Sequence, residues 1–181
     1  MLSNRLIILD RDGVINEDSP RSIRSLDEWI PIRGSMEAIA RLCGRGWRVA
    51  VATNQSGIAR GYLTPTVLVD IHHALVARAV EAGGRIDVIA VCPHAPEDGC
   101  ACRKPGTELL AEIERKTGLS AQGAPFVGDS MRDIEAAQRF GCVPVLVRTG
   151  NGSEVEAEAK AVGVKHVFDD LSAAVEWLIQ R

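Results

Sequence analysis

The chain has 181 residues, and its 21 basic and 24 acidic side chains leave a formal net charge of −3. That length predicts one domain spanning residues 1–181, large enough to bury a core without disulfides. The small net charge gives no electrostatic basis for nucleic-acid or membrane-surface binding, and 4% aromatic residues are too few for base-stacking platforms. No uncharged apolar run approaches the ~18 residues of a membrane-spanning helix, and Asp10 interrupts the first apolar stretch too early for a signal peptide. Five cysteines, three of them between positions 92 and 102, suit a reducing, cytoplasmic setting and a bound metal better than a disulfide set.

Apolar runs and helical periods alternate along the chain. Leu6 to Leu9 reads as a buried strand, followed by an amphipathic helix carrying Met36, Ile39, Ala40 and Cys43. Val49 to Ala52 is a second strand, and Val67, Leu68, Ile71 and Leu75 mark a second helix that Gly83-Gly84 stops. A third strand runs from Ile86 to Val91, and a helix with Leu109, Leu110 and Ile113 ends at Gly118. Pro125 to Val127 forms a strand, Met131 to Phe140 a helix stopped by Gly141, and Val143 to Val147 a fifth strand. Ser153-x-x-Glu156 reads as a capping box opening another helix, and the last helix aligns Leu171, Ala174, Val175 and Leu178. The alternation predicts a three-layer, Rossmann-like α/β fold: a parallel sheet with helices on both faces and right-handed crossovers. There is no internal repeat or linker.

Two stretches fit neither pattern. Residues 13–33 are too long for an ordinary strand-to-helix connection, and residues 92–106 form a second long loop rich in Cys, Pro and Gly. In an open parallel sheet, ligands bind outside the carboxyl ends of the strands. The first strand ends in Asp10-Arg11-Asp12-Gly13, the second in Thr53-Asn54-Gln55-Ser56-Gly57, the third in Cys92-Pro93-His94 and the fourth in Gly128-Asp129-Ser130.

Three carboxylates on one edge suit Mg²⁺, which binds few carboxylates and takes phosphate oxygens as further ligands. Asp10 can face the metal and a phosphorus atom while Asp12, two residues on, handles protons. The competing reading, in which acidic residues merely cap the following turns, is adequate for either motif alone but not for Asp10-x-Asp12 and Gly128-Asp129 together. Lys104, before a helix, offers a point charge to a phosphoryl group, and Arg103 a bidentate grip on a second anion. Asp133, one turn after Asp129, is open between orienting Lys104, holding a metal-bound water and lying on the helix surface.

Cys92-x-His94 and Cys100-x-Cys102 supply three thiolates and an imidazole, the closed Cys₃His set of structural zinc. With every protein position filled, such a zinc would fold the loop and aim Arg103-Lys104 rather than catalyse. Cys43 and Cys142 read as small core residues, and His72, His73 and His166 lack ligand spacing.

These motifs together resemble the haloacid dehalogenase superfamily of aspartate-nucleophile phosphatases. Asp10-Arg11-Asp12-Gly13-Val14 resembles its first motif, Thr53-Asn54 its second, Lys104 its third and Gly128-Asp129-x-x-x-Asp133 its fourth. The cysteine loop, with Thr53-Asn54-Gln55-Ser56-Gly57-Ile58-Ala59-Arg60-Gly61, is similar to the branch acting on heptose bisphosphates. The likeness runs from about Leu6 to Gly150; Val14 stands where a threonine is common, and Ser130 where some relatives carry a lysine.

The resemblance implies that Asp10 attacks phosphorus to form an aspartyl phosphate and that Asp12 protonates the leaving hydroxyl and later deprotonates water. It implies Mg²⁺ on Asp10, Asp129 and the backbone carbonyl of Asp12, structural Zn²⁺ on Cys92, His94, Cys100 and Cys102, and Thr53 and Lys104 at the phosphoryl oxygens. Arg103 would recognise the rest of the substrate, and Asp18, Ser19, Pro20, Arg21, Asn54, Gln55 and Ser56 would shape the sugar pocket without a separate cap domain. The expected partner is a small-molecule sugar bisphosphate met by a monomer, with a product feeding nucleotide-activated heptose and lipopolysaccharide core synthesis. Two readings compete: a histidinol-phosphate phosphatase, whose domains share the zinc loop, and a receiver-like signalling domain that would keep its phosphoaspartate.

Overall fold

A computed structural model describes residues 5–180. Its sheet is built from β1 (Leu6–Leu9), β2 (Arg48–Asn54), β3 (Val88–Cys92), β4 (Pro125–Gly128), β5 (Val143–Val147) and β6 (His166–Phe168). Each paired strand is parallel to its neighbour, in the order β3-β2-β1-β4-β5-β6. The chain first builds outward from β1 through β2 and β3, then crosses to β4 on the other side. The carboxyl ends of β1 and β4 therefore flank the topological switch point, where sheets of this kind form a crevice.

Strand alternation sorts the core into two layers. Ile7 and Leu9 face the layer made by α1 (Ser35–Gly44), α2 (Pro65–Glu81) and α6 (Leu171–Ile179), against Ile39, Leu75 and Val175. Leu6 and Ile8 face the opposite layer, against Leu109 and Leu110 of α3 (Glu108–Thr117) and Ala137 of α4 (Met131–Phe140). Helix α5 (Gly152–Ala161) adds a satellite cluster of Ile134, Leu146, Ala159 and Val164. All four β1 side chains are at most 1% exposed, and each such burial stabilises the fold by about 1.5–3 kcal/mol. That rigid central strand is the base on which Asp10 stands.

Two expectations need correction. The third strand starts at Val88 rather than Ile86, because Asp87 turns its carboxylate to Arg48 Nε (2.6 Å) and to the Val49 amide (2.9 Å). Ser153 and Glu156 do not form a capping box: α5 begins at Gly152, Ser153 Oγ donates to the Arg148 carbonyl, and Glu156 pairs with Arg148 and Lys160. The sixth strand carries no sequence signal, since three half-buried edge residues give no apolar run. The loop of residues 13–33 contains a 3-10 turn at Leu26–Glu28 and is tied down where Asn16 bridges to Asp12 and to Pro31.

Candidate active site

Asp10 is the first residue beyond β1, and its amide donates to the Val127 carbonyl of β4 (2.9 Å), locking it at the switch point. Lys104 reaches it from the long loop after β3. The Lys104 ammonium is 2% exposed and lies 2.8 Å from Asp10 Oδ1, 2.6 Å from Asp133 Oδ1 and 2.8 Å from the Ala52 carbonyl that accepts from it. Asn54 fastens the Lys104 backbone from both sides, donating to its carbonyl (3.2 Å) and accepting from its amide (3.0 Å). Asp133, left open by the sequence, is thus an orienting partner of Lys104; its other oxygen accepts from the Ser130 amide and hydroxyl at 3.1 and 2.7 Å.

Asp129 follows β4 and is almost wholly buried. Its Oδ2 accepts from the Asn151 amide (2.8 Å) and side-chain Nδ2 (3.2 Å), and the same Nδ2 donates to Asp18 (3.0 Å). The backbone around Asp129 leaves no space for side chains. A Cβ on Gly13 (φ +81°) would fall 2.2 Å from Asp129 Oδ2, and one on Gly150 (φ +57°) would fall 2.1 Å from it.

Ligand oxygens of Asp10, Asp129 and Asp133 all lie within 4.8 Å of one another. Of these three buried carboxylates, Asp10 and Asp133 contact the Lys104 ammonium. Burial first, then the Asp133 charge, raises Asp10 well above the usual carboxylate range and pushes Asp129 up to about 6. Lys104 responds in the opposite sense: burial opposes its charge, but Asp10 and Asp133 outweigh burial and raise it. The surplus negative charge fits a divalent cation with oxygen ligands. Since both Asp133 oxygens are engaged, Asp10 and Asp129 are the side chains able to serve one.

Asp12 points elsewhere. Its carboxylate accepts from Arg11 Nε and Nη2 at 2.9 and 2.8 Å, from Asn16 at 2.8 Å and from Gln55 at 2.7 Å. Burial opposes the Asp12 charge, but the Arg11 guanidinium and these donors overcome it and hold the carboxyl below its ordinary value. Gln55 also donates to the buried Thr53 hydroxyl (2.9 Å), so it faces inward and braces Asp12.

Two connected hollows open above these groups. A polar cleft of about 90 Å³ is lined by Asp10, Asp12, Asp18, Asn54, Lys104, Asp129, Ser130, Arg132 and Asn151. A larger one of about 400 Å³ adds Ser19, Pro20, Gln55, Ser56, Arg60 and Arg103. Of the expected pocket residues, Arg21 lines an adjoining hollow with Arg24, Glu28 and Ile30, which shares Ser19 and Ser22 with the larger one. Arg60, Arg132 and Asn151 were missed. Arg60 lies in the segment after the second strand and Asn151 in the segment after the fifth, so the ends of strands are the signal for both.

The cysteine loop closes on itself. Cys92 Sγ lies 3.6 Å from Cys100 Sγ and 3.0 Å from Cys102 Sγ, and His94 Nδ1 lies 3.7 and 3.2 Å from Cys92 and Cys102. Zinc with Zn–S bonds of ~2.3 Å places sulfurs about 3.7 Å apart at tetrahedral corners; the Cys92–Cys100 spacing matches that, the Cys92–Cys102 spacing is shorter, and all four ligand atoms lie within 4.8 Å of one another, close enough to share one ion. No disulfide joins them. Arg103, next in the chain, has its pKa lowered by burial and by the charge of Arg132 facing the same cavity.

Comparison with known proteins agrees with this architecture. Residues 101–174 match the HAD-hydrolase-like family model. A D-glycero-beta-D-manno-heptose-1,7-bisphosphate 7-phosphatase from Pseudomonas aeruginosa is 51% identical, covering 99% of this chain and 100% of its own. One from Bordetella bronchiseptica is 47% identical over 98% of this chain and 99% of its own. The crystal structure of D,D-heptose 1,7-bisphosphate phosphatase from B. bronchiseptica, complexed with magnesium and phosphate, superposes with a TM-score of 0.93 at 47% identity, covering 97% of this chain and 98% of that one.

Proposed function

The chain belongs to the HAD-like hydrolases, in the branch of the D-glycero-beta-D-manno-heptose-1,7-bisphosphate 7-phosphatases, and on that premise we propose that it hydrolyses the 7-phosphate of the β anomer of D-glycero-D-manno-heptose 1,7-bisphosphate. One observation carries the reading: Asp10 and Lys104 line a small cleft, and Arg132 lines both that cleft and the larger hollow in which Arg60 and Arg103 also stand. One phosphoryl group fits the cleft, and a second anion fits the arginines. The β anomer is favoured because the five relatives at 43–51% identity all carry that name.

In this mechanism an Asp10 carboxylate oxygen bonds to phosphorus in line with the bond from phosphorus to the sugar oxygen, which breaks. Asp12 gives that oxygen a proton, for which the approaching phosphate dianion raises its affinity. Water then attacks phosphorus, Asp12 takes its proton, and the Asp10–phosphorus bond breaks to release inorganic phosphate. Lys104 lines the cleft and would face the phosphoryl oxygens, with Asp133 keeping it aimed; Thr53, buried beneath Gln55 and lining neither hollow, would support the cleft floor from below. Asp10, Asp129 and the Asp12 backbone carbonyl would hold Mg²⁺, which supplies positive charge against those oxygens when bound. Cys92, His94, Cys100 and Cys102 would hold a structural Zn²⁺ that shapes the wall carrying Arg103.

Asp18, Ser19, Pro20, Asn54 and Ser56 line the space left for the sugar. The chemistry of the site supports a small-molecule sugar bisphosphate as partner, and every group used comes from one copy of the chain, which supports action as a monomer. Among the described residues no helix is long and apolar enough to cross a membrane; a cytoplasmic setting is part of the proposal, supported by the thiol-rich composition. Phosphate release with Mg²⁺, measured on both anomers and on histidinol phosphate, tests the reading. Preference for the β bisphosphate is expected. Turnover of histidinol phosphate alone would overturn the substrate assignment.

A further inference from the structure

Arg11, between the two aspartates, is wholly buried and lines neither hollow of the site. Its Nε and Nη2 close on Asp12 Oδ1 at 2.9 and 2.8 Å, and Nη2 also donates to Oδ2 at 2.9 Å. The remaining arm reaches α2, where Nη1 lies 3.1 Å from His72 Nε2. A guanidinium only donates, so this ring nitrogen accepts, and the ring is neutral with its proton on Nδ1. His72 sits beside Ile71 and one turn before Leu75 on the half of α2 that packs inward.

We propose that His72 is a positioning residue for Asp12: it supplies the acceptor that fixes the rotation of the Arg11 fork, and through the fork the aim of the Asp12 carboxylate. The inference rests on the reading of Asp12 as the proton-transfer group. Leaving a buried N–H without an acceptor costs about 1–3 kcal/mol, so without His72 the fork would turn to satisfy Nη1. Asp12 follows the fork, because two of the donors it accepts from belong to it. Asn16 and Gln55 brace the other sides of the carboxylate but do not touch the Nη1 arm. The acceptor has reason to be neutral: a carboxylate at position 72 would compete with Asp12 for the guanidinium charge.

The test compares His72→Leu, which keeps volume and removes the acceptor, with His72→Gln, which restores an acceptor oxygen at similar reach. His72→Leu is expected to lower kcat about tenfold with KM within about twofold, and His72→Gln to recover kcat to within about threefold of the natural protein. Unchanged kcat in His72→Leu would overturn the proposal, and so would equal losses in both variants, the pattern of a merely structural role. Nitrogen-15 spectra provide an arm independent of turnover. A bare Nε2 on His72 and an Arg11 Nε–H resonance that moves in His72→Leu but not in His72→Gln are expected; an unmoved resonance in His72→Leu overturns the proposal. If the natural protein hydrolyses no phosphomonoester, the reading of Asp12 chemistry fails, and these spectra still decide whether His72 sets the fork.

Discussion

Lys104 Nζ lies 2.6 Å from Asp133 Oδ1, and both side chains are at most 2% exposed. The contact joins the loop after β3 to the first turn of α4, and it holds the ammonium beside Asp10 rather than letting it follow solvent.

Replacing Asp133 should therefore damage catalysis more than folding. Asp133→Asn removes the charge that aims Lys104, and it also relieves the repulsion that raises Asp10 and Asp129. These opposing effects leave an expected net destabilisation of about 1–3 kcal/mol, with kcat falling at least about 100-fold. Denaturant melts and steady-state kinetics on one preparation separate the two losses.

His72 gives a pH dependence of defined sign. Burial and the nearby Arg11 charge pull it from 6.5 to about 4. The unfolded chain takes up a proton as pH falls through 6.5, whereas the folded chain does so only near 4. Stability is therefore full above 6.5 and is lost as pH falls towards 4. Since the ring is partly exposed, its contribution is about 1–2 kcal/mol, less than the full shift implies. Denaturant midpoints of His72→Gln and the natural protein, compared between pH 7 and 4.5, should show the natural protein losing more.

The arginine wall makes a substrate-specific prediction. Arg132→Ala removes a cation at the cavity while leaving the contacts of Lys104 intact. KM for the bisphosphate should rise about 10- to 100-fold, with much less change for a phosphomonoester lacking the second phosphate. Equal effects on both substrates would place Arg132 at the transferred phosphoryl group instead.

Metal removal separates the two cation sites. Chelation of zinc, or Cys102→Ser, should lower the melting temperature and remove one bound zinc per chain by elemental analysis. Removal of Mg²⁺ should abolish turnover while leaving the melting curve comparatively unchanged. A zinc-free chain with native stability would contradict the assignment of Cys92, His94, Cys100 and Cys102.

What was legible in the sequence was local. Asp10, Asp12 and Asp129 announce themselves because each lies just past an apolar strand, and the four zinc-type ligands because they fall within one short loop. Long-range choices were not legible. Arg11 could have faced solvent; only the packing of α2 shows that it runs inward to His72. Asp133 stayed open until α4 docked against the Lys104 loop. Gln55 lines the larger hollow, but its amide is committed to Asp12 and Thr53, a choice its position after the second strand does not reveal. The sixth strand escaped notice because His166, Val167 and Phe168 sit half-buried at an edge, where little apolar signal is needed.

In the proposed mechanism phosphate leaves the substrate through Asp10. Acid-quenching a single turnover and mapping the phosphorylated peptide tests it most directly. A transient acyl phosphate on Asp10 that decays as inorganic phosphate appears is expected, with neither signal in Asp10→Asn. Sustained phosphate release by Asp10→Asn, or a transient phosphoryl group on another residue, would contradict it.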